Sequence, residues 1–473
     1  MPETDYLIAI DQGTTSVKAH AYSPTGGIYL SAQRFISTYR PQPDFAEQNP
    51  EEIFNAVCEV VRELLARAPG TCAGISLSCA MHGIMVIDEG GEPLTNLLIW
   101  SDTRSKMEAR ALRGSEEGAL IFYETGTPIH PMSPLCKIKW LRQHGFNSTK
   151  GLKWASFKDF FLWRVTGVFV LDHSLASASG LFNRDTRNWS SRALSWCGAR
   201  PDELPGLVPA RHVLKTGNNP AWGIPSGLSV VVGASDGCLA QLGSGAMQPG
   251  TFTISLGTSL AVRVVNPGGS FSSDSKLFHY VLDEKHTISG AASNNGTAVI
   301  DWWNAQQGSN QSLDDFVQSA QQAPAGCEGL IFRPYVYGER APFYDPDLRP
   351  SFLGLRHHSV VNQQRALLEG ICFIVRHLLE TVEEEMGKAR TIHVSGGAVR
   401  SSEWMQWLCH VLDRPLEIDA SPDASACGAA MLGWNALGIA ADFKTSARTT
   451  CYPEAGHFDY VAHYDRFITA PRD

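Results

Sequence analysis

The chain has 473 residues, with 39 Lys+Arg against 48 Asp+Glu and a net charge of −9. That acidic balance excludes a protein that tracks the nucleic-acid backbone, which needs clustered Lys and Arg. With 43% hydrophobic and 18% charged residues the chain is a core-forming globular one, and it has no run of about 18 apolar residues to span a membrane.

The start, Met1-Pro2-Glu3-Thr4-Asp5, is acidic and lacks the basic-then-apolar order of a secretory signal. Residues 6–10 then read as a strand that stops at Asp11-Gln12-Gly13-Thr14-Thr15-Ser16. Residues 17–22 resume the strand, Ser23-Pro24-Thr25-Gly26-Gly27 turns the chain, and residues 28–35 form a third strand. A helix follows, with Asn49 as N-cap, Pro50 at its first position and Glu51 and Glu52 in its first turn. Ile53, Val57, Val61 and Leu64 lie on its apolar stripe. Residues 74–78 read as a strand leading to the loop Cys79-Ala80-Met81-His82-Gly83, and residues 228–232 as another leading to Gly233-Ala234-Ser235-Asp236-Gly237. A domain boundary is expected within 242–249, where Gly243, Ser244, Gly245 and Pro249 cluster. Beyond it, residues 251–256, Gly257-Thr258-Ser259 and residues 260–265 repeat the strand, Gly-Thr turn, strand order of the N-terminus, half a chain away. Finally Ser395-Gly396-Gly397-Ala398 joins a strand to a helix beginning near Ser402. The eleven Cys include no Cys-x-x-Cys pair and read as buried thiols in a reducing cytoplasm, with neither zinc nor a disulfide framework.

A strand–Gly-Thr–strand hairpin offers backbone N–H groups and hydroxyls to phosphate oxygens. One alone is more often an ordinary polar turn, but two at matching positions with a Gly-Gly turn reverse those odds. Lys is absent from all three loops and no G-x-x-x-x-G-K-[ST] occurs, which excludes a P-loop. Asp11 beside the first hairpin could hold Mg²⁺. Asp236, at a strand end beside Gly237, could accept the proton of an attacking alcohol, although alone it reads as a turn Asp. His82 reads as a hydrogen-bonding partner of a polyol or as a structural histidine. Trp100-Ser101-Asp102-Thr103-Arg104 suits sugar binding by stacking and paired hydrogen bonds, or else is an ion pair beside a core Trp.

Taken together, these residues resemble the FGGY carbohydrate kinase family, within the superfamily of actin and hexokinase. Asp11-Gln12-Gly13-Thr14-Thr15-Ser16 is similar to its first phosphate motif, Leu256-Gly257-Thr258-Ser259 to the second, and Ser395-Gly396-Gly397-Ala398 to its adenosine motif. The segment Met132-Ser133-Pro134-Leu135-Cys136-Lys137-Ile138-Lys139-Trp140-Leu141 is similar to one family signature. Gly338-Glu339-Arg340-Ala341-Pro342, through Gly354-Leu355, and Arg365-Ala366-Leu367-Leu368-Glu369-Gly370 are similar to the second. Pro350 departs from the family's usual Gly, with no bearing on the chemistry.

The resemblance implies an α/β fold of two RNase H-like domains, 1–245 on the sugar side and 246–473 on the nucleotide side, about a deep cleft. It implies ATP and Mg²⁺ as cofactors and a small-molecule sugar or sugar acid as partner, with no nucleic acid and no membrane; a homodimer stays open. The catalytic base falls on Asp236 and the metal-associated carboxylate on Asp11. Gly13, Thr14, Thr15, Ser16, Gly257, Thr258, Gly396 and Gly397 would hold the nucleotide. Met81, His82, Trp100, Asp102, Arg104 and Asp236 would meet substrate. Residues 124–134 are similar to the gluconokinase branch. Met81-His82-Gly83 is the form usual in xylulokinases, but those usually follow the catalytic Asp with Asn, where Gly237 stands here. The balance favours D-gluconate, with xylulose or another pentulose or polyol as the alternative and a catalytically inactive sugar sensor or an actin-like ATPase as the remaining readings. Gluconate is an anion, so Arg104 or Lys137 is expected to meet its carboxylate.

Overall fold

The computed structural model describes residues 5–147, 151–354, 358–419, 423–443 and 448–471. Residues 1–4 of the acidic start and Leu355 of the second signature region lie outside them.

The first sheet opens with an antiparallel meander of β1 (Tyr6–Gln12), β2 (Ser16–Tyr22) and β3 (Ile28–Phe35). The helix α1 (Pro50–Arg67) carries the chain to β4 (Cys72–Cys79), parallel to β1. After α2 (Pro134–Gln143) and α3 (Phe157–Thr166) come β5 (Val213–Lys215), β6 (Ser229–Ser235) and α4 (Asp236–Gly243). The second sheet contains β7 (Thr251–Leu256), β8 (Leu260–Pro267), β9 (Phe278–Val281) and β10 (His286–Ser293). After α5 (Val360–Met386) it gains β11 (Thr391–Ser395), then, past α6 (Ser402–Leu412), β12 (Leu416–Ile418). The helix α7 (Ala424–Ala436) follows, and β13 (Thr449–Cys451) closes the sheet.

The strand orders are β5-β6-β4-β1-β2-β3 and β9-β10-β8-β7-β11-β12-β13. Within them, β3-β2-β1-β4-β6 and β10-β8-β7-β11-β12 run through the same succession of antiparallel and parallel pairs. The internal repeat seen in two short hairpins therefore extends to the topology of both sheets, and the expected two-domain α/β architecture is present.

Local chemistry explains the elements. Asn49 caps α1, its side chain accepting from the Glu51 N–H at 2.9 Å, and Pro50 is the first helical residue. β1 is apolar on both faces because both are covered. Ile8 and Ile10 join Val57 and Val61 of α1, whereas Leu7 and Ala9 join Ala429 and Ala430 of α7. β1 also runs two residues further than the expected 6–10. Asp11 and Gln12 stay in the ladder, opposite Lys18 and Val17 on one side and Ser78 and Cys79 on the other, so the turn is confined to residues 13–15.

The helix α7 follows β12 of the second sheet, yet it packs on the first sheet and on α4. Ser76 Oγ of β4 donates to the Ala429 carbonyl at 2.7 Å. At the crossing, a Cβ on Gly428 would sit 2.0 Å from the Leu239 carbonyl oxygen and one on Gly243 would sit 1.9 Å from that of Ala424. The two backbones touch there because neither glycine has a side chain. Asp423, just before α7, takes Lys18 at 2.8 Å and His20 at 2.9 Å from β2. No helix among the described residues is long and apolar enough to cross a membrane.

Candidate active site

The two sheets face one cavity of about 420 Å³. The first half of the chain lines it with Asp11, Thr14, Thr15, Met81, His82, Trp100 and Asp236. The second half contributes Gly257, Thr258, Arg263, Tyr280, Arg340 and Gly396.

Asp236 is the first residue of α4, so its carboxylate lies at the positive end of a helix, and the Gly237 N–H donates to it at 2.7 Å. A fully buried ion pair braces the strand that delivers it: Lys158 Nζ donates to Asp172 at 2.6 Å and to the Ala234 carbonyl at 3.0 Å. Burial first, and then the nearby Asp11, push the Asp236 carboxyl up to about 6, while Arg263 pulls it down. At neutral pH it is ionised and close to the range where a general base works best. Asp11 is also raised by burial, and Ser78 Oγ donates to it at 2.7 Å.

The first hairpin is held by Gln48, whose Nε2 donates to the Thr14 carbonyl at 2.6 Å, and by Trp100, whose indole N–H donates to Thr14 Oγ1 at 2.9 Å. Trp100 is thereby fixed with its ring in the cavity. In the second hairpin, the Gly296 and Thr297 N–H groups donate to the Thr258 and Gly257 carbonyls. Gly396 has φ of 105°, and a Cβ there would lie 2.4 Å from the Leu256 carbonyl oxygen, so only glycine fits. Gly13, Ser16 and Gly397 shape these loops without lining the cavity.

His82 also has positive φ, 68°. Its Nδ1 lies 2.8 Å from the Ala178 carbonyl, an acceptor, so Nδ1 carries the proton. Burial holds the ring neutral, with its pKa lowered to about 3, which makes Nε2 an acceptor suited to a sugar hydroxyl.

Two expectations are corrected here. Asp102 is fully buried and accepts from the Ala46 N–H at 2.7 Å and from Arg104 at 2.8–3.0 Å. Arg104 also donates to Glu47 at 2.5 Å and lies 3.7 Å over the Phe45 ring. The pair ties residues 44–48 to 100–104, and neither residue lines the cavity. Lys137 is likewise spent elsewhere. Its Nζ donates to the carbonyls of His82 at 2.9 Å and Ile99 at 2.7 Å, pinning the His82 loop from beneath, and burial lowers its pKa to about 7. Neither cation expected to meet a carboxylate is free to do so.

Among the described residues, the cations that line the cavity are Arg263 and Arg340, neither of which the sequence alone marks for a role. A guanidinium in the middle of the apolar strand Leu260-Ala261-Val262-Arg263-Val264-Val265 was the available signal for the first. The second stands within the segment Gly338-Glu339-Arg340-Ala341-Pro342, next to Glu339. That carboxyl accepts from Ser293 and from the Arg340 N–H, both at 2.7 Å, and is pushed up to about 7 by burial. Tyr280, whose ring lies 5.9 Å from that of His82, completes this side.

No group of three or more His, Cys, Asp or Glu among the described residues could hold a metal alone. The oxygen set of Asp11, Asp236 and the Thr hydroxyls suits Mg²⁺ of the kind that keeps waters and shares phosphate oxygens with one or two carboxylates.

The chain is similar to known proteins over most of its length. Residues 6–243 match the model of the FGGY family of carbohydrate kinases, N-terminal domain, and residues 252–437 that of its C-terminal domain. The gluconokinase of Bacillus subtilis (strain 168) is 34% identical over 453 residues, covering 92% of this chain and 88% of that protein. The crystal structure of gluconate kinase from Lactobacillus acidophilus superposes with a TM-score of 0.87 at 28% identity, covering 98% of this chain and 96% of the other. Ligand-bound xylulose kinase from the same organism superposes with a TM-score of 0.88, also at 28% identity and with the same coverage.

Proposed function

The chain belongs to the FGGY family of carbohydrate kinases, and from that premise we propose that it transfers the γ-phosphoryl group of ATP to the terminal hydroxyl of D-gluconate, giving 6-phosphogluconate. Phosphotransfer to an alcohol is the family's chemistry. The observation that carries the assignment of roles is that Asp236 and both Gly-Thr hairpins open on one cavity. The terminal hydroxyl of the sugar acid attacks the γ-phosphorus, its proton passes to Asp236, the new O–P bond forms and ADP leaves. Thr14, Thr15, Gly257 and Thr258 hold phosphate oxygens through hydroxyls and backbone N–H groups. Gly396 lets the adenosine lie against the backbone. Asp11 would hold Mg²⁺, which would supply neutralisation of the phosphate charge. His82 Nε2 and Trp100 orient the sugar.

Gluconate as the acceptor is supported by the 34% identical gluconokinase and by the presence of two guanidiniums in the cavity. Xylulose is the second reading, favoured by Met81-His82-Gly83 and by the equally close xylulose kinase structure. A coupled assay over gluconate, xylulose, ribulose and glycerol tests the choice. Gluconate is expected to give the highest kcat/KM, and xylulose on top overturns the substrate while leaving the family. Sugar-stimulated ATP turnover separates a kinase from an inactive sugar sensor.

A further inference from the structure

Arg263 and Arg340 enter the same cavity from different segments of the second half. Arg263 Nη1 donates to Ser255 Oγ at 3.0 Å and Arg340 Nη2 to the Ser293 carbonyl at 2.8 Å. The Nε of each is buried with no hydrogen-bond partner among the described residues. Neither side chain is ion-paired among the described residues, although Asp236 lies near one and Glu339 near the other. They are close enough to repel each other, and Tyr280 neighbours both. Like charges sharing a desolvated site cost free energy unless an anion completes them. The guanidinium fork matches a carboxylate in two parallel hydrogen bonds.

The room for this arrangement comes from Gly237. A Cβ on that residue would lie 3.1 Å from Arg263 Nε and 3.2 Å from Nη2, so a side chain there would displace the guanidinium. Ala261 and Ala292 keep the neighbouring wall shallow. The Arg340 guanidinium lies 5.5 Å from the ring of Trp100, the aromatic assigned above to orienting the sugar.

We propose that Arg263 and Arg340, in the space left open by Gly237, form the subsite that receives the carboxylate of a sugar-acid substrate. The inference rests on the sugar-acid reading above, and it makes this pair the determinant of acid over neutral acceptors.

The test compares kcat/KM for gluconate with that for a neutral acceptor that the wild type turns over, sorbitol or xylulose, in Arg263→Gln, Arg340→Gln and Gly237→Asn. The ratio of gluconate to neutral acceptor is expected to fall about tenfold to a hundredfold in each arginine variant, through KM for gluconate. It should fall in the same direction in Gly237→Asn. Arg263→Lys, which keeps the charge and loses the fork, should give an intermediate ratio and serves if the Gln variant fails to fold. Unchanged ratios with a raised KM for ATP would assign the arginines to the nucleotide phosphates and overturn the inference alone. A wild-type enzyme that turns over xylulose and no sugar acid overturns the sugar-acid reading, and the inference with it.

Discussion

Asp236 sits at the start of a helix, beside one carboxylate that raises its pKa and one guanidinium that lowers it. Protonated, it can accept nothing, so kcat/KM should fall as pH drops through about 6. A pH–rate profile checks this, and an acid limb well below that value would remove Asp236 as the base. In Arg263→Gln the same limb should move to higher pH, because the lost guanidinium was the group favouring the charged carboxylate. Asp236→Asn should lower kcat about a hundredfold or more while ATP still binds, as turnover and a nucleotide titration together would establish. The residues legible in the sequence are those whose task depends on immediate neighbours. Thr14, Gly257 and Gly396 belong to turns whose backbone demands are written in adjacent letters, and Asp11 to the strand end beside the first of them. Asp102 and Arg104 mislead because their charges are answered by the Ala46 N–H and Glu47, 56 and 57 positions away. Arg263 and Arg340 escape for the converse reason: only the fold brings them to one cavity.

At the scale of elements, the hairpins, α1 and the β7–β8 repeat follow from periodicity and turn chemistry. The destination of α7 does not, since a run such as Ala424-Ser425-Ala426-Cys427-Gly428-Ala429-Ala430 states that something will approach closely but not which sheet. The crossing of α4 and α7 is the joint between the two halves. Gly428→Val would drive a side chain into the Leu239 carbonyl and should destabilise the protein by about 1–3 kcal/mol. Chemical denaturation measures that, and an unchanged midpoint would mean that the crossing relaxes freely. The Lys158–Asp172 pair gives a second test. Lys158→Met strands a carboxylate in a fully buried site and should cost about 3–5 kcal/mol, read by the same unfolding experiment.

For the whole molecule, a cavity walled by both halves allows them to close around the reactants, and such closure would exclude the water that competes for the phosphoryl group. Small-angle scattering should show a smaller radius of gyration with gluconate and a non-hydrolysable ATP analogue together than with neither; an invariant radius would mean that the cleft is already closed. In a chain with a net charge of −9, Arg263 and Arg340 are the cations that the proposed anionic reactants would meet in the cavity.

The return of α7 to the first sheet also bears on how the protein is made. On the ribosome, β1 and β4 emerge early, and the part of the cover over Leu7, Ala9 and Ser76 that α7 supplies arrives only when residues 424–436 have been synthesised. At typical elongation rates the roughly 190 residues between α4 and the end of α7 take about 10–40 s. Until then the first half lacks the apolar contacts of Ala426, Ala429 and Ala430, so its core is complete only once α7 has returned to it.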